Sequence, residues 1–340
     1  MVLANENESP RAALMDMLRA SWIGPTLHAM AALGIADHLA HGPRSIGDLA
    51  EASDTNPAAL ARLMRTLAAL GFCATESDGA VHLTPRGELL RSDVPNSTLP
   101  YVLAIHAPHI GLAWDGLPLA VRTGQPSFPH VHGLTFWDFL RERPEKQARF
   151  DGAMSAGVER RAAALIAARD LTGLSTLVDI GGGQGKLLAS VLAANPHMQG
   201  VLFDRAEALP EAAAILGSFG VADRCELVAG DFFAVVPSGG DAYVLALIIH
   251  DGQDEEAIGI LRSCHRAMTP GSRIWLIEGV LEPGDAWDSR KLLDMLMLVL
   301  FGAQERTADE YRTLLVTAGF ADVSFYPTET GYHVIEAARL

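Results

Sequence analysis

Polar side chains end or follow five short apolar segments in the second half of the chain. They are Asp179, Asp204, Asp231, His250 and Glu278, and the segments cover residues 175–180, 200–203, 226–229, 243–249 and 274–277. Helical patterns separate the segments. This alternation is typical of a parallel sheet, in which ligands bind outside the carboxyl ends of the strands. We therefore expect the five side chains to meet in one crevice, where carboxylates bind a cationic ligand and an imidazole accepts a proton.

A glycine-rich loop follows the first of these strands, at residues 181–185. Its glycines allow a tight turn and a close approach to a ligand. Gly181 and Gly183 fit a dinucleotide fingerprint, but Lys186 stands where that fingerprint has its last glycine. Asp179, two residues before the loop, disfavours a pyrophosphate and suits an amino group or a sulfonium.

The next two strand ends extend this interpretation. Asp204 can accept hydrogen bonds from both hydroxyls of a ribose, the usual role of an acid at the second strand. Asp231 offers an acceptor to an adenine amino group, and the ring of Phe232 can pack on the face of that base. Together with Asp179 they favour S-adenosylmethionine over NAD. A glycine-rich turn that binds no ligand remains the alternative.

Six short motifs, in a fixed order, resemble those of the small-molecule O-methyltransferases, typified by plant caffeic acid methyltransferase and bacterial polyketide and antibiotic methyltransferases. They lie at residues 179–185 (DIGGGQG), 203–204 (FD), 230–233 (GDFF), 250–251 (HD), 277–279 (IEG) and 304–307 (QERT). The resemblance covers nearly the whole chain. It implies an α/β fold: a Rossmann-like class I methyltransferase domain with a mostly parallel seven-stranded sheet and an antiparallel last strand, after a mainly helical winged-helix dimerisation domain.

The implied reaction transfers a methyl group from S-adenosylmethionine to a hydroxyl of a small aromatic secondary metabolite, and a phenol is the expected kind of hydroxyl. A phenol has a pKa of about 10, so a base assists at neutral pH. The resemblance assigns the base to His250 and the flanking acids to Glu278 and Glu305. The structural alternatives are a histidine packed at a strand end, a solvated strand terminus at Glu278, and a position for Glu305 beside the helix-capping Thr307.

Further residues are expected around the two ligands. Phe150 and Met154 share a helical face, and the resemblance places them between methyl donor and acceptor, with Met154 against the cofactor. Asp294 and Met297 belong to a Met-rich helix in an insertion after the fifth strand, and such surfaces accept varied aromatic shapes. His106 completes the predicted substrate pocket. Ordinary core packing is the alternative for the apolar members.

Two positions depart from the family pattern. Gly252 follows the His-Asp pair where the family usually has Trp, and Ala246-Leu247 stands where a basic residue often precedes the histidine. Cofactor packing is therefore expected to differ. Some relatives bind S-adenosylmethionine but catalyse another step, and N-methylation uses the same kind of pocket. Both remain alternatives to O-methylation.

The first part of the chain carries a winged-helix pattern. Two or three largely apolar helices, interrupted at residues 24–25, fill residues 11–41; two capped helices and a hairpin follow over residues 45–83. We assign residues 1–105 to a dimerisation domain, 106–170 to a helical connector and 171–340 to the Rossmann-like core, the methyltransferase domain being 106–340. The helix at residues 57–70 has only two cations, which disfavours DNA reading by a winged-helix regulator.

Composition narrows the partners and the compartment. The formal net charge of −15 disfavours nucleic acid and anionic lipid. Three scattered cysteines provide neither a disulfide framework nor metal-ligand spacing, so no metal is expected. The N-terminal segment lacks a signal-peptide pattern, and no run of 18 apolar residues occurs. We expect a cytoplasmic homodimer with no nucleic-acid or membrane partner.

Overall fold

A computed structural model describes residues 9–95, 97–155 and 157–340. The polar N-terminal segment without signal-peptide character lies mostly outside these described residues. The α-helices of the described part are α1 Pro10–Ala20, α2 Ile23–Ala32, α3 Ile35–His38, α4 Ile46–Ala52, α5 Pro57–Ala69, α6 Pro85–Glu88, α7 Leu99–Ile105, α8 Pro108–Trp114, α9 Leu117–Thr123, α10 Ser127–His132, α11 Phe136–Arg141, α12 Pro144–Ser155, α13 Val158–Ala168, α14 Lys186–Ala194, α15 Leu209–Ser218, α16 Asp254–Ala267, α17 Arg290–Phe301 and α18 Ala308–Ala318.

The strands are β1 Cys73–Thr75, β2 Val81–Leu83, β3 Thr176–Ile180, β4 Gln199–Asp204, β5 Cys225–Ala229, β6 Ala242–Ala246, β7 Arg273–Glu278, β8 Val280–Leu281, β9 Arg306–Thr307, β10 Ala321–Pro327 and β11 His333–Ala338. In the described residues, a 3-10 turn at Ala222–Arg224 precedes β5, and another at Ile249–Asp251 lies between β6 and α16. The described residues divide into two compact units, residues 9–112 with 140–155 and residues 113–139 with 157–340. The boundary after residue 105 stays a prediction.

The first unit begins with helices that leave apolar side chains exposed. Helix α1 has no buried residue, although Leu14, Met17 and Leu18 lie along it. The predicted interruption at Gly24-Pro25 is wrong, because the chain breaks at residues 21–22 and Pro25 lies in the first turn of α2, where it costs no hydrogen bond.

The winged-helix pattern of the first unit is confirmed as helix, helix and hairpin. The Ser45 side chain accepts from Asp48 N and caps α4. Asn56 caps α5, which begins at Pro57. Strands β1 and β2 then pair antiparallel, with Cys73 opposite Leu83. A shared apolar core, including Met30, Leu49 and Leu67, holds these elements together.

The second unit contains a seven-stranded sheet in the order β10-β11-β7-β6-β3-β4-β5. Strands β3 to β7 are parallel, and β11 pairs antiparallel with both β7 and β10, so the predicted seven strands and antiparallel last strand are confirmed. Strand β3 lies between β4 and β6. The strand order therefore reverses beside β3, which is where sheets of this kind form a binding crevice.

Strand β6 shows how the sheet is covered on both faces. Ala242 and Val244 pack in one apolar cluster, whereas Tyr243 and Leu245 pack in the other. This period of two is the geometry of a pleated strand. The prediction that the strand runs to residue 249 is wrong: β6 ends at Ala246, because Leu247 adopts a left-handed φ of 57°.

Candidate active site

The turn between β6 and α16 carries His250. Leu247 donates its amide to Ile277 O at 3.0 Å, its left-handed backbone ends the strand, and the 3-10 turn Ile249–Asp251 follows. Ile249 is fully buried, which explains why the apolar sequence continues past the end of the strand. His250 therefore stands on a tight turn rather than at the strand end that its sequence predicts.

The imidazole of His250 is held by a carboxylate from the residue that precedes β9. Its Nδ1 lies 2.7 Å from Glu305 Oε1, and its Nε2 lies 3.4 Å from Asp251 Oδ1. The side chains of His250 and Glu305 are 13% and 1% exposed. The amide of Glu305 in turn donates to Asp294 Oδ1 at 2.8 Å. Asp294, predicted in the substrate pocket, thus fixes the backbone next to the acid.

Glu278 supports the same turn through its backbone. Its Oε1 accepts from the amides of Ile248, at 3.1 Å, and Ile249, at 2.8 Å. Glu278 is fully buried at the end of β7 and is not a solvated strand terminus. This acid therefore positions the residues that precede His250, while Glu305 contacts the imidazole itself.

The charges of this cluster shift one another. Burial alone would lower the pKa of His250, but neighbouring carboxylates outweigh burial and raise it to about 10; these belong to Glu278, Asp251 and Glu305. Burial, with the nearby acids, raises the pKa of Glu278 to about 7. The cluster therefore favours an imidazolium between carboxylates, the charge state that follows proton uptake by the imidazole.

Arg306 is a member of this cluster that sequence reasoning did not assign. Its guanidinium has no exposed surface and donates to Ile249 O and Gly252 O, each at 2.8 Å, and to Asp254 Oδ1 at 3.0 Å. Only its place between Glu305 and the helix-capping Thr307 marked it in the sequence. Thr307 does cap α18, with Glu310 completing the capping box, and Glu305 contacts His250 as well.

Asp179 lies one residue before the end of β3, next to β6 in the sheet. It is 1% exposed, and its Oδ2 has no hydrogen-bond partner among the described residues. Burial, with the adjacent Asp204, raises the pKa of this carboxyl to about 7. A Cβ on Gly182 would lie 2.5 Å from Asp179 Oδ2 and also close to Leu202 Cδ1, so the loop lies directly on the carboxylate and a larger residue would have to displace these side chains.

The remaining loop residues meet at the same place. Asp204 Oδ2 accepts from Gly183 N at 2.7 Å, which ties β4 to the loop. A Cβ on Gly181 would lie 2.6 Å from Ile248 Cδ1 and 3.6 Å from the Phe232 ring. The glycine loop, the segment after β5 and the turn that carries His250 therefore adjoin one another, as the strand ends predict.

These residues fit a cationic nucleoside ligand. An unpartnered buried carboxylate oxygen can receive a positive charge, and left-handed Gly181 and Gly183 let the backbone approach closely. Asp231 is exposed, and its Oδ1 accepts from Phe233 N at 2.9 Å, which leaves the other oxygen for a ligand. Phe232 supplies an aromatic face beside the loop.

Family comparisons decide the class of protein. The model of the O-methyltransferase domain matches residues 114–321, and that of the O-methyltransferase dimerisation domain matches residues 15–93. The chain belongs to the O-methyltransferase family. The predicted enzyme class and the S-adenosylmethionine dependence are confirmed with it.

Individual relatives of this O-methyltransferase cover nearly its whole length. It is 38% identical over 324 residues, 95% of either chain, to phenazine O-methyltransferase PhzM of Lysobacter antibioticus. It is 36% identical, over 91% of this chain and 90% of the other, to 8-amino-8-demethylriboflavin N,N-dimethyltransferase of Streptomyces davaonensis. A structure of NcsB1 from neocarzinostatin biosynthesis, with S-adenosylmethionine and 2-hydroxy-5-methyl naphthoic acid, matches with a TM-score of 0.80, 31% identity and coverage of 94% and 96%.

The other predicted site residues of the O-methyltransferase lie in both units. Met297 is buried on α17 with Asp294, in the second unit. Phe150 and Met154 lie one turn apart on α12, and His106 ends α7, all in the first unit. A Cβ on Gly24 would lie 2.5 Å from the His106 ring. The assignment of these residues to the ligands stays a prediction.

Metal ligation and membrane insertion have no support in the described residues. Within residues 9–95, 97–155 and 157–340, no group of histidine, cysteine and acidic side chains has the arrangement of a metal site. None of the helices described is both long and apolar enough to cross a bilayer.

Proposed function

We propose that the protein methylates a phenolic hydroxyl of a small aromatic molecule, with His250 as general base. The observation that carries this proposal is the buried contact of 2.7 Å between His250 Nδ1 and Glu305 Oε1, beside a loop that fits the methyl donor. A histidine whose other nitrogen is fixed by a carboxylate is the arrangement that general bases use.

The contact with Glu305 selects the reactive nitrogen. A carboxylate only accepts hydrogen bonds, so in the neutral imidazole Nδ1 of His250 carries the proton and Nε2 has the free lone pair. Nε2 takes the proton from the acceptor hydroxyl, and the oxygen becomes the nucleophile. S-adenosylmethionine, when bound, supplies the methyl group as a sulfonium electrophile. The new O–C bond forms as the C–S bond breaks, and the proton remains on His250.

The raised pKa of His250 suits this substrate class. The neighbouring carboxylates raise it to about 10, and a phenol titrates at about 10 as well. Proton transfer between the two is therefore nearly balanced in free energy, but only the neutral form of His250 accepts the proton, and that form is the minor one at pH 7. The imidazolium that forms lies 3.4 Å from Asp251 Oδ1, which stabilises it.

The donor would be held by the rim of loops described above. Asp179 would receive its positive charge, Asp204 its ribose hydroxyls, and Asp231 with Phe232 its adenine. Gly181 and Gly183 would provide the close backbone approach. In the second unit, Asp294 and Met297 are proposed to contact the acceptor. The roles of Met154 toward the donor and of Phe150 and His106 toward the acceptor are proposed from the sequence alone.

Two finer statements belong to the same proposal. The aromatic substrate follows from relatives named for phenazine and from one solved with a naphthoic acid. A homodimer through the first unit follows from the dimerisation-domain match and from the exposed apolar side chains of α1. Light scattering of the purified protein tests the dimer. The cytoplasmic location and the absence of a nucleic-acid partner stay predictions.

N-methylation is the second candidate, because one relative at 36% identity is an N,N-dimethyltransferase. Incubation with donor labelled in its methyl group, against matched panels of phenols and aromatic amines, separates the two. We expect label in phenol ethers. Label in amines alone would support the second candidate, and label in no acceptor would contradict both.

A further inference from the structure

The guanidinium of Arg306 joins the two ends of the turn that carries His250. Its Nη1 donates to Ile249 O and its Nη2 to Gly252 O, each at 2.8 Å. These carbonyls flank His250-Asp251 on either side. Nε and Nη2 also contact Asp254 Oδ1, at 3.0 and 2.9 Å, so the start of α16 is tied to the same group.

We propose that Arg306 is a positioning residue for the base: it fixes the backbone of the turn so that the imidazole of His250 meets Glu305. The inference deepens the proposed function and rests on it. Glu305 and Arg306 are consecutive, so a single short segment holds the side chain of His250 with a carboxylate and its backbone with a cation.

The register of that segment is set independently. Strand β9 pairs with β8, with Val280 opposite Arg306 and Leu281 opposite Thr307. Strand β8 follows Glu278 by one residue, and Glu278 accepts from the amides of Ile248 and Ile249. The β8–β9 pairing therefore fixes Glu278, Glu305 and Arg306 relative to one another, and all three act on one turn.

The arrangement needs arginine rather than any cation. A guanidinium is planar and presents donors in several fixed directions, whereas a lysine ammonium is a single point on a flexible stem. Acceptors from Ile249, Gly252 and Asp254 lie around the Arg306 guanidinium at 2.8–3.0 Å, and Gln304 O lies at 3.5 Å. A lysine would retain the charge but could not hold both carbonyls in place, so Arg306→Lys isolates geometry from charge.

A second arginine in the same unit provides a matched control. Arg224 also donates to backbone carbonyls, Nη1 to Met198 O at 2.8 Å and Nη2 to Leu192 O at 2.9 Å. These carbonyls precede β4, at the amino ends of the strands and away from His250. A merely structural role would make Arg306→Lys and Arg224→Lys alike.

The test combines imidazole NMR titration with kinetics. Histidine is labelled with ¹⁵N, and the His250 signals are assigned by their loss in His250→Ala. In Arg306→Lys we expect the titration midpoint of His250 to fall by about one pH unit or more, since the carboxylates no longer surround it. We expect kcat at saturating donor to fall about tenfold to hundredfold. Affinity for S-adenosylhomocysteine, measured by calorimetry, should change less than twofold.

Arg224→Lys should leave both the midpoint and kcat as in the wild type. An unchanged His250 midpoint and kcat in folded Arg306→Lys would overturn the proposal. If that variant does not fold, Asp254→Asn takes its place, since the Asp254 side chain is 55% exposed and its loss loosens the guanidinium. It should shift the midpoint in the same direction, and no shift would overturn the proposal. Absence of methyl transfer by the wild type contradicts the proposed function instead, while the titration still reports on positioning.

Discussion

The ends of β3, β4 and β5 and the ends of β6 and β7 differ in how their charged side chains are paired. Along β3, β4 and β5, Asp204 and Asp231 accept from backbone amides of glycine-rich or exposed loops, and Asp179 Oδ2 has no partner among the described residues. Beyond β6 and β7, the imidazole of His250 lies between Asp251 and Glu305, and the guanidinium of Arg306 donates to carbonyls at both ends of the turn. The proposed donor site thus keeps an acceptor available for its ligand, whereas the proposed base is held in one orientation.

Removing the proposed base, His250, tests this comparison most strongly. We expect His250→Ala to lower kcat by about 10²–10⁴, because general-base assistance is lost. Affinity for S-adenosylhomocysteine should change less than threefold, since the proposed donor site is untouched. Initial-rate kinetics and calorimetry measure the two quantities.

His265→Ala is the matched control for that variant. His265 lies near the other end of α16, edge-on to Phe320 at 5.1 Å, and its removal should leave kcat within about threefold. A large loss of cofactor affinity in His250→Ala would show that the proposed base and the proposed donor site are not separate.

The pH dependence of kcat reports how strongly His250 binds its proton. The pKa of His250 is raised to about 10, so the neutral imidazole that accepts a proton becomes more abundant as pH rises. We expect kcat to increase from pH 7 toward pH 10. Glu305→Gln removes one carboxylate charge and should move the midpoint of the profile to lower pH, with kcat at pH 10 reduced about tenfold.

A profile that is flat over this range in both proteins would contradict the role of His250 as the titrating base. A fall of kcat with rising pH would contradict it as well. The isosteric Glu310→Gln is the control, because Glu310 completes the cap of α18 and does not contact the imidazole.

Neutralising Asp179 tests which group of S-adenosylmethionine this carboxylate contacts. Asp179→Asn removes the buried negative charge, and we expect the affinity for S-adenosylmethionine to fall about tenfold. If the carboxylate faces the sulfonium, affinity for S-adenosylhomocysteine, whose sulfur is an uncharged thioether, should fall much less. If it faces the amino group, both should fall equally. Calorimetry with the two ligands distinguishes these cases.

The exposed Asp170, which accepts from Thr172 before β3, provides the control for that experiment. Asp170→Asn should bind both ligands as the wild type does. Unchanged affinity of Asp179→Asn for both ligands would remove Asp179 from the binding site.

The smallest expected effect concerns the glycine that replaces the family's Trp. A Cβ on Gly252 would lie 2.9 Å from Glu256 Oε2, which caps α16 together with Gln253. We expect Gly252→Ala to cost about 0.5–1 kcal/mol in the free energy of unfolding, through loss of that cap. Urea denaturation measures it.

Gly259, inside the same helix, has open space where an alanine side chain would lie, with no neighbouring atom within 4 Å of that methyl position. Gly259→Ala should therefore stabilise the protein by about 0.5–1 kcal/mol, because alanine favours the helix. Equal stabilisation by both substitutions would show that the cap at residues 253–256 contributes nothing.

The sequence predicted the sheet and its polar edge well, because both depend on local patterns. Alternating strand and helix signals located β3 to β7 near their observed positions, and the four predicted acids lie within two residues of a strand end. The turn of His250 was misplaced because Ile248 and Ile249 continue the apolar pattern of β6 while the backbone already turns. Apolar periodicity reports burial, not the path of the main chain.

Long-range polar contacts could not be predicted in this way. Arg306 reaches carbonyls more than 50 residues earlier in the chain, and no local pattern specifies such a contact. The break before α2 was also missed, because a proline in a helical segment is equally compatible with a first turn and with an interruption. Both errors concern main-chain geometry that is decided by tertiary structure.

The short pairing of β8 with β9 separates the placement of Glu305 from the variable segment between the two strands. Without it, changes in one would constrain the other in evolution. Residues 282–304, which include α17, leave after β8 and return at β9. Because main-chain bonds fix both ends of this excursion, its length and its side chains, apart from Asp294, can diverge among descendants while Glu305 stays in register with the imidazole. Descendants can therefore change which acceptor they bind while the contact between Glu305 and His250 is kept.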